Sequence, residues 1–184
     1  MKRSTFIISF LLIAGQLFAQ KPTVSTTSGQ MSFFSKAPLE DIEAHNKEVS
    51  SEINLAKKEI VAKAVIRQFE FHNKLMQEHF NTHYLESDKF PEATFKGKIN
   101  EAIDFSKPGV YDVSATGVLN IHGVNQKRTI TGKLTIDNNS KFTLESAFEV
   151  ALKDHRIKIP KLVFGKIAEK VAVKAVFNYL PDNK

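Results

Sequence analysis

The sequence predicts a mainly β protein, an antiparallel barrel or sandwich with one short helix laid against it. Three observations carry this. From Glu92 to Tyr179 apolar and polar residues alternate in short runs separated by turn residues, the pattern of consecutive antiparallel strands. One stretch, Lys74 to Asn81, breaks that period: Leu75, Met76, His79 and Phe80 fall on a single helical stripe. Pro91 then stops any helix and pushes Phe90 to an extended backbone.

The elements follow in chain order. Lys21 to Gly29 is polar and rich in Ser and Thr, and reads as a leader into a first strand, Gln30 to Ser35. Pro38 to Asn46 reads as a helical turn, because proline suits the first turn of a helix and the acids after it suit the N-terminal dipole. Glu48 to Asn54 and Glu59 to Phe71 read as strands, with Ile60, Ala62, Ala64 and Ile66 on one face of the second. Beyond the helix, Phe95, Gly97 and Ile99 share a face. So do Val113, Ala115, Gly117, Leu119 and Ile121. Gly123 begins a connection, Ile130, Gly132, Leu134 and Ile136 line the next strand, and Asp137 to Ser140 has the composition of a hairpin turn. Phe142, Leu144, Ser146, Phe148, Val150 and Leu152 continue the period, and Val171, Val173, Ala175, Phe177 and Tyr179 end it. Closing such a sheet on itself removes its exposed edges. The small residues Ala115, Gly117 and Gly132 on the inner faces make room for a cavity, since a barrel of about eight strands either fills itself or holds one small ligand.

Residues 1–19 read as a secretory signal. Lys2 and Arg3 precede the apolar run Phe6 to Ala14, and Ala19 offers a cleavage site before Gln20. The run is too short for a bilayer, which takes roughly 20 apolar residues, so no membrane span is expected once the signal is gone. Residues 20–184 then form one domain, and loss of Lys2 and Arg3 lowers the net charge from +6 to +4. The absence of cysteine excludes disulfides, thiolate catalysis and cysteine zinc sites. The expected location is the periplasm or another exported compartment. The remaining basic residues are scattered without interleaved aromatics, so no nucleic-acid partner is expected.

Catalytic motifs are missing. No strand–Gly-x-Ser-x-Gly–helix context and no glycine-rich phosphate loop occurs. Glu86, Asp88 and Glu92 cluster around Pro91 as turn and element-end residues rather than as a glycosidase acid pair. His79 and His83 are four apart, the spacing at which two imidazoles share one helical face, but a metal also needs a third ligand and Glu78 points to a neighbouring face. No metal or cofactor is expected. His122 precedes Gly123 at a strand end, as a turn histidine or a polar group at a cavity mouth. Fifteen phenylalanines against three tyrosines and no tryptophan suit either an aromatic core or an apolar tunnel for a chain-like lipid.

Three segments carry a resemblance: Met76-Gln-Glu-His-Phe80, Leu85-Glu-Ser-Asp-Lys-Phe-Pro-Glu-Ala-Thr-Phe95 and Gly117-Val-Leu-Asn-Ile-His-Gly-Val124. They resemble the YceI-like family from about Gly29 to Tyr179. The resemblance implies a lipocalin-like antiparallel eight-stranded β-barrel with one short helix packed at the barrel, exported to the periplasm, holding a polyisoprenoid or quinone-type lipid. The chain looks like a short variant. Its first strand begins Ser28-Gly-Gln-Met-Ser-Phe-Phe34 rather than His-Ser-x-Val-x-Phe, and Asn125 and Lys127 stand where threonine and proline are usual.

The resulting expectation is a non-catalytic carrier whose cavity is lined by Met76, Phe80, Phe95, Leu119, Ile121, Phe148 and Phe164, with His79 and His122 at its mouth. The alternative is a ligand-free envelope or stress-related interaction module with a solid core. The oligomeric state stays open between monomer and homodimer.

Overall fold

A computed structural model describes residues 23–160 and 165–181. The expected signal, residues 1–19, and Phe164 lie outside the described residues. Nine strands occur among them: β1 (Thr23–Lys36), β2 (Asp41–Asn54), β3 (Glu59–Val65), β4 (Glu70–Phe71), β5 (Glu92–Ile99), β6 (Gly109–Ile121), β7 (Val124–Ile136), β8 (Phe142–Ala151) and β9 (Lys170–Pro181). All pairings are antiparallel, in the order β1-β9-β8-β7-β6-β5-β3-β2, and β1 pairs with β2 to close an eight-stranded barrel. The two-residue β4 lies outside the ring, against Ala44 and His45 of β2. Helix α1 (Lys74–His79) runs into a π-helical turn, Phe80–Tyr84. Among the described residues no helix is long and apolar enough to cross a membrane.

Period two decides the inner faces. Val113, Ala115 and Leu119 of β6 are buried, as are Leu134 and Ile136 of β7 and Val171, Val173, Ala175, Phe177 and Tyr179 of β9. Two glycines are required by position. Gly117 stands opposite Gly97 across β5–β6, where a Cβ would lie 2.2 Å from the Lys96 carbonyl oxygen. Gly123 has φ of +71° and His122 φ of +53°, and together they form the two-residue loop of the β6–β7 hairpin, whose turn type demands positive φ at both positions.

The N-terminal third departs from expectation. Thr23 to Gly29 is strand rather than leader: Val24 is buried and pairs with Ile53 on one side and Pro181 on the other. Asp41 to Asn46 is strand rather than a helical turn. Ala44 and Asn46 are buried, and the Asn46 amide donates to the Val65 carbonyl while its oxygen accepts from the Glu48 N–H. A register shift around Gly29 lets the buried phase pass from Asn46 to Val49. The expected strand Glu59 to Phe71 ends at Val65. A 3-10 turn, Ile66–Gln68, follows and places Phe69 and Phe71 over the barrel end.

Candidate functional site: an apolar cavity in the barrel

The strand ends sort the barrel into two poles. At one pole meet the β1–β2 loop, α1 with its π turn, the β6–β7 hairpin and the 3-10 turn Leu152–His155. At the other, Ile53, Ile136, Phe142 and Tyr179 are nearly fully buried and fill the floor. Between them lies a cavity of about 510 Å³. This is the size range of ligand pockets, roughly 300–1,000 Å³. The barrel is therefore not the solid-cored one of the alternative expectation.

Helix α1 forms because Asn73 caps it, its side-chain oxygen accepting from the Leu75 and Met76 N–H groups at 2.9 and 3.3 Å. The helix and the π turn that follows turn Met76 and Phe80 toward the opening. Phe80 is the hub of an aromatic cluster, its ring centroid 5.4 Å from Phe33, 5.9 Å from Phe69 and 4.9 Å from Phe71. Farther in, Phe95, Leu119 and Phe148 contribute to the wall, and Ile121 does so beside the hairpin at the mouth pole. The structure thus places six of the seven expected lining residues around one cavity, the seventh being the undescribed Phe164. Phe33, Phe69 and Phe71 were not singled out from sequence as lining, although the Phe69-x-Phe71 spacing carried the signal.

Polar groups gather at the rim. His79 borders the cavity and lies exposed, its ring 5.3 Å from that of His83. Glu40 and Lys166 face each other across the mouth at 3.9 Å. A backbone bond from Leu39 N–H to the Gly165 carbonyl and another from Ala168 N–H to the buried Ser35 hydroxyl hold that side together. No group of three histidine, aspartate or glutamate side chains suited to a metal occurs among the described residues, and none gathers at His79 and His83.

Of the two places expected for His122, the structure shows the turn histidine rather than the group at the cavity mouth. It is absent from the cavity lining and instead ties three loops together, because positive φ in the hairpin turns its ring sideways. Its Nδ1 lies 3.1 Å from the His155 carbonyl oxygen and its Nε2 3.1 Å from a Glu86 carboxylate oxygen, with Phe90 packed edge-on at 4.6 Å. Lys89 and His122 hold the Glu86 carboxyl below the usual carboxylate range. His155 beneath is fully buried. Its Nδ1 bonds the Val124 carbonyl at 3.3 Å, and burial pushes its pKa down.

A family model for the YceI-like domain matches residues 19–179. Among solved structures, the chain is similar to a polyisoprenoid binding domain from Saccharophagus degradans implicated in plant cell wall breakdown, at 15% identity and a TM-score of 0.71, covering 88% of this chain and 98% of that one. It is also similar to Burkholderia cenocepacia BcnA at 18% identity and a TM-score of 0.68, covering 83% of this chain and 96% of that one. The Campylobacter jejuni YCEI protein follows at 14% identity and 0.58, covering 100% and 94%. No curated protein matches the chain. Barrel, helix and family model agree over nearly the whole length, and the chain belongs to the YceI-like domain family.

Proposed function

We propose that this chain is a non-catalytic carrier or sequestering protein for an apolar, chain-like lipid of the polyisoprenoid or quinone type, working in the periplasm. The observation that carries the reading is the cavity of about 510 Å³, walled by phenylalanine and aliphatic side chains and polar only toward its rim and at one strand seam. Such a lining rewards hydrocarbon. Each methylene removed from water is worth about 0.8 kcal/mol, or roughly fourfold in Kd. A head group would stay at the rim with Glu40, His79 and Lys166. The polyisoprenoid binding named for the Saccharophagus degradans domain supports the ligand class. Export rests on the basic and apolar start of the sequence.

The test is binding of a fluorescent polyprenyl probe by Phe80→Asp and Leu119→Asp variants that retain far-UV circular dichroism. A carboxylate among these side chains should abolish uptake. Unchanged binding by folded variants of both would refute the assignment of the cavity.

A further inference from the structure

The barrel wall is not continuous. Strands β6 and β7 pair at thirteen positions and β8 and β9 at ten, but β7 and β8 pair at only five, from Gly132 opposite Ser146 to Ile136 opposite Phe142. Toward the mouth, Val124 to Thr131 of β7 and Ala147 to Ala151 of β8 run without a ladder between them. Side chains bridge the gap in place of backbone. Arg128 Nη2 donates to the Glu149 carbonyl at 2.8 Å, Gln126 Nε2 to the Asp154 carbonyl at 2.7 Å, and the Ser146 hydroxyl to the Thr131 carbonyl at 2.7 Å. Backbone polar groups left unpaired in a wall are costly, so such stitches are what a split of this kind requires.

The cavity reaches this seam. Ile130, Thr131, Gly132, Ser146 and Phe148 all border it. Thr131 borders the cavity from the last β7 position before the ladder to β8 begins. A depression on the outer surface reaches the end of the seam at Thr131, Gly132 and Ala147. A ladder is a cooperative row of main-chain bonds. Long arginine and glutamine side chains swing away one at a time, without moving a strand.

The geometry points to the β7–β8 seam as a lateral portal through which an apolar chain slides into and out of the cavity, with Arg128 and Gln126 as its bolts. The inference rests on the carrier reading. It adds that a chain-like ligand exchanges sideways through the wall, so that a chain longer than the cavity threads its end out along β8.

The chain has no cysteine, so the seam can be locked selectively. Continued antiparallel register puts Thr129 opposite Glu149. A Thr129→Cys/Glu149→Cys variant bridged by a short bis-methanethiosulfonate, which forms a disulfide with each thiol as sulfinate leaves, should take up the polyprenyl probe from detergent micelles at least tenfold more slowly, and recover on cleavage with dithiothreitol. An Arg128→Ala/Gln126→Ala variant should release bound probe several-fold faster, with equilibrium affinity changed much less. Equal uptake rates before and after cleavage, or a double-alanine variant that melts earlier but releases probe at the parental rate, would overturn the portal while leaving the carrier intact. Absence of binding by the parent protein would overturn both.

Discussion

The Tyr179 hydroxyl of β9 lies 2.8 Å from the Ser51 hydroxyl of β2, in the buried floor of the barrel and 128 residues apart in sequence. Ser51 spends its single proton on the Val61 carbonyl at 2.9 Å, so Tyr179 is the donor to Ser51. One chain of hydrogen bonds therefore links β9, β2 and β3 beneath the cavity. Tyr179→Phe breaks the first link without changing ring packing. It should cost about 1 kcal/mol, lowering Tm by about 2–4 °C for a domain of this size, with probe binding unchanged.

The same hydroxyl sets an alkaline limit. Burial pushes Tyr179 far above the ordinary tyrosine range, the Ser51 contact opposing weakly. The neutral phenol is the form that folds. Its contribution is complete below the unfolded pKa of about 10 and is lost as pH rises from there toward the folded value. Urea unfolding at about pH 8 and about pH 11 should show a fall in stability that Tyr179→Phe largely removes. Burial raises Tyr84 as well, which adds in the same direction.

His155 sets the acid side. Its pKa is lowered, first by burial, with the Val124 carbonyl opposing. Its Nε2 is buried without a well-formed hydrogen bond among the described residues, and the Ile121 backbone also opposes the burial. The neutral ring folds, and the unfolded ring protonates below about pH 6.5, so stability is complete above that value and declines as pH falls through it. A His155→Gln variant, whose amide still reaches for the Val124 carbonyl, should lose the slope between about pH 6.5 and pH 5 in chemical-denaturation curves. Retention of the parental slope would assign it to another group.

Ala115 offers a way to fill the cavity without touching the fold. It borders the cavity on β6, opposite Ile130 of β7. Ala115→Phe should abolish probe binding by occupying the space, while Tm stays level or rises as the void is filled. Isothermal titration and thermal melts on one sample check both halves.

The Asn73 cap connects helix stability to the ligand. Asn73→Ala removes the acceptor for two N–H groups and should cost about 1 kcal/mol. Because α1 carries Met76 over the mouth and leads into Phe80, the loss should appear as a several-fold weaker Kd and faster release, with only a small change in global Tm. Hydrogen exchange at Leu75 and Met76 reports the local fraying.

The sequence made β5 to β9 legible because each has an inner face of period two with few polar interruptions, as in Val113, Ala115, Leu119 and Ile121. It showed only the second half of β1 and of β2, and concealed Thr23 to Gly29 and Asp41 to Asn46, where polar residues do structural work. Asn46 occupies an inward position and donates to the Val65 carbonyl of β3. The register shift at Gly29 then breaks the alternation. Met76 and Phe80 were readable from their helical stripe. The partners of His122 were not, because Glu86 and His155 are 36 and 33 residues away. The seam was hidden for a related reason: β7 and β8 alternate normally on either side of it, and only their register reveals the missing ladder.

Native mass spectrometry of the mature protein isolated from its host, followed by organic extraction, tests the carrier reading most directly. One isoprenoid, quinone or other long-chain lipid per chain, lost in Leu119→Asp, is the expected result. A clean apo mass that stays unchanged after incubation with added quinone and polyprenol would contradict it.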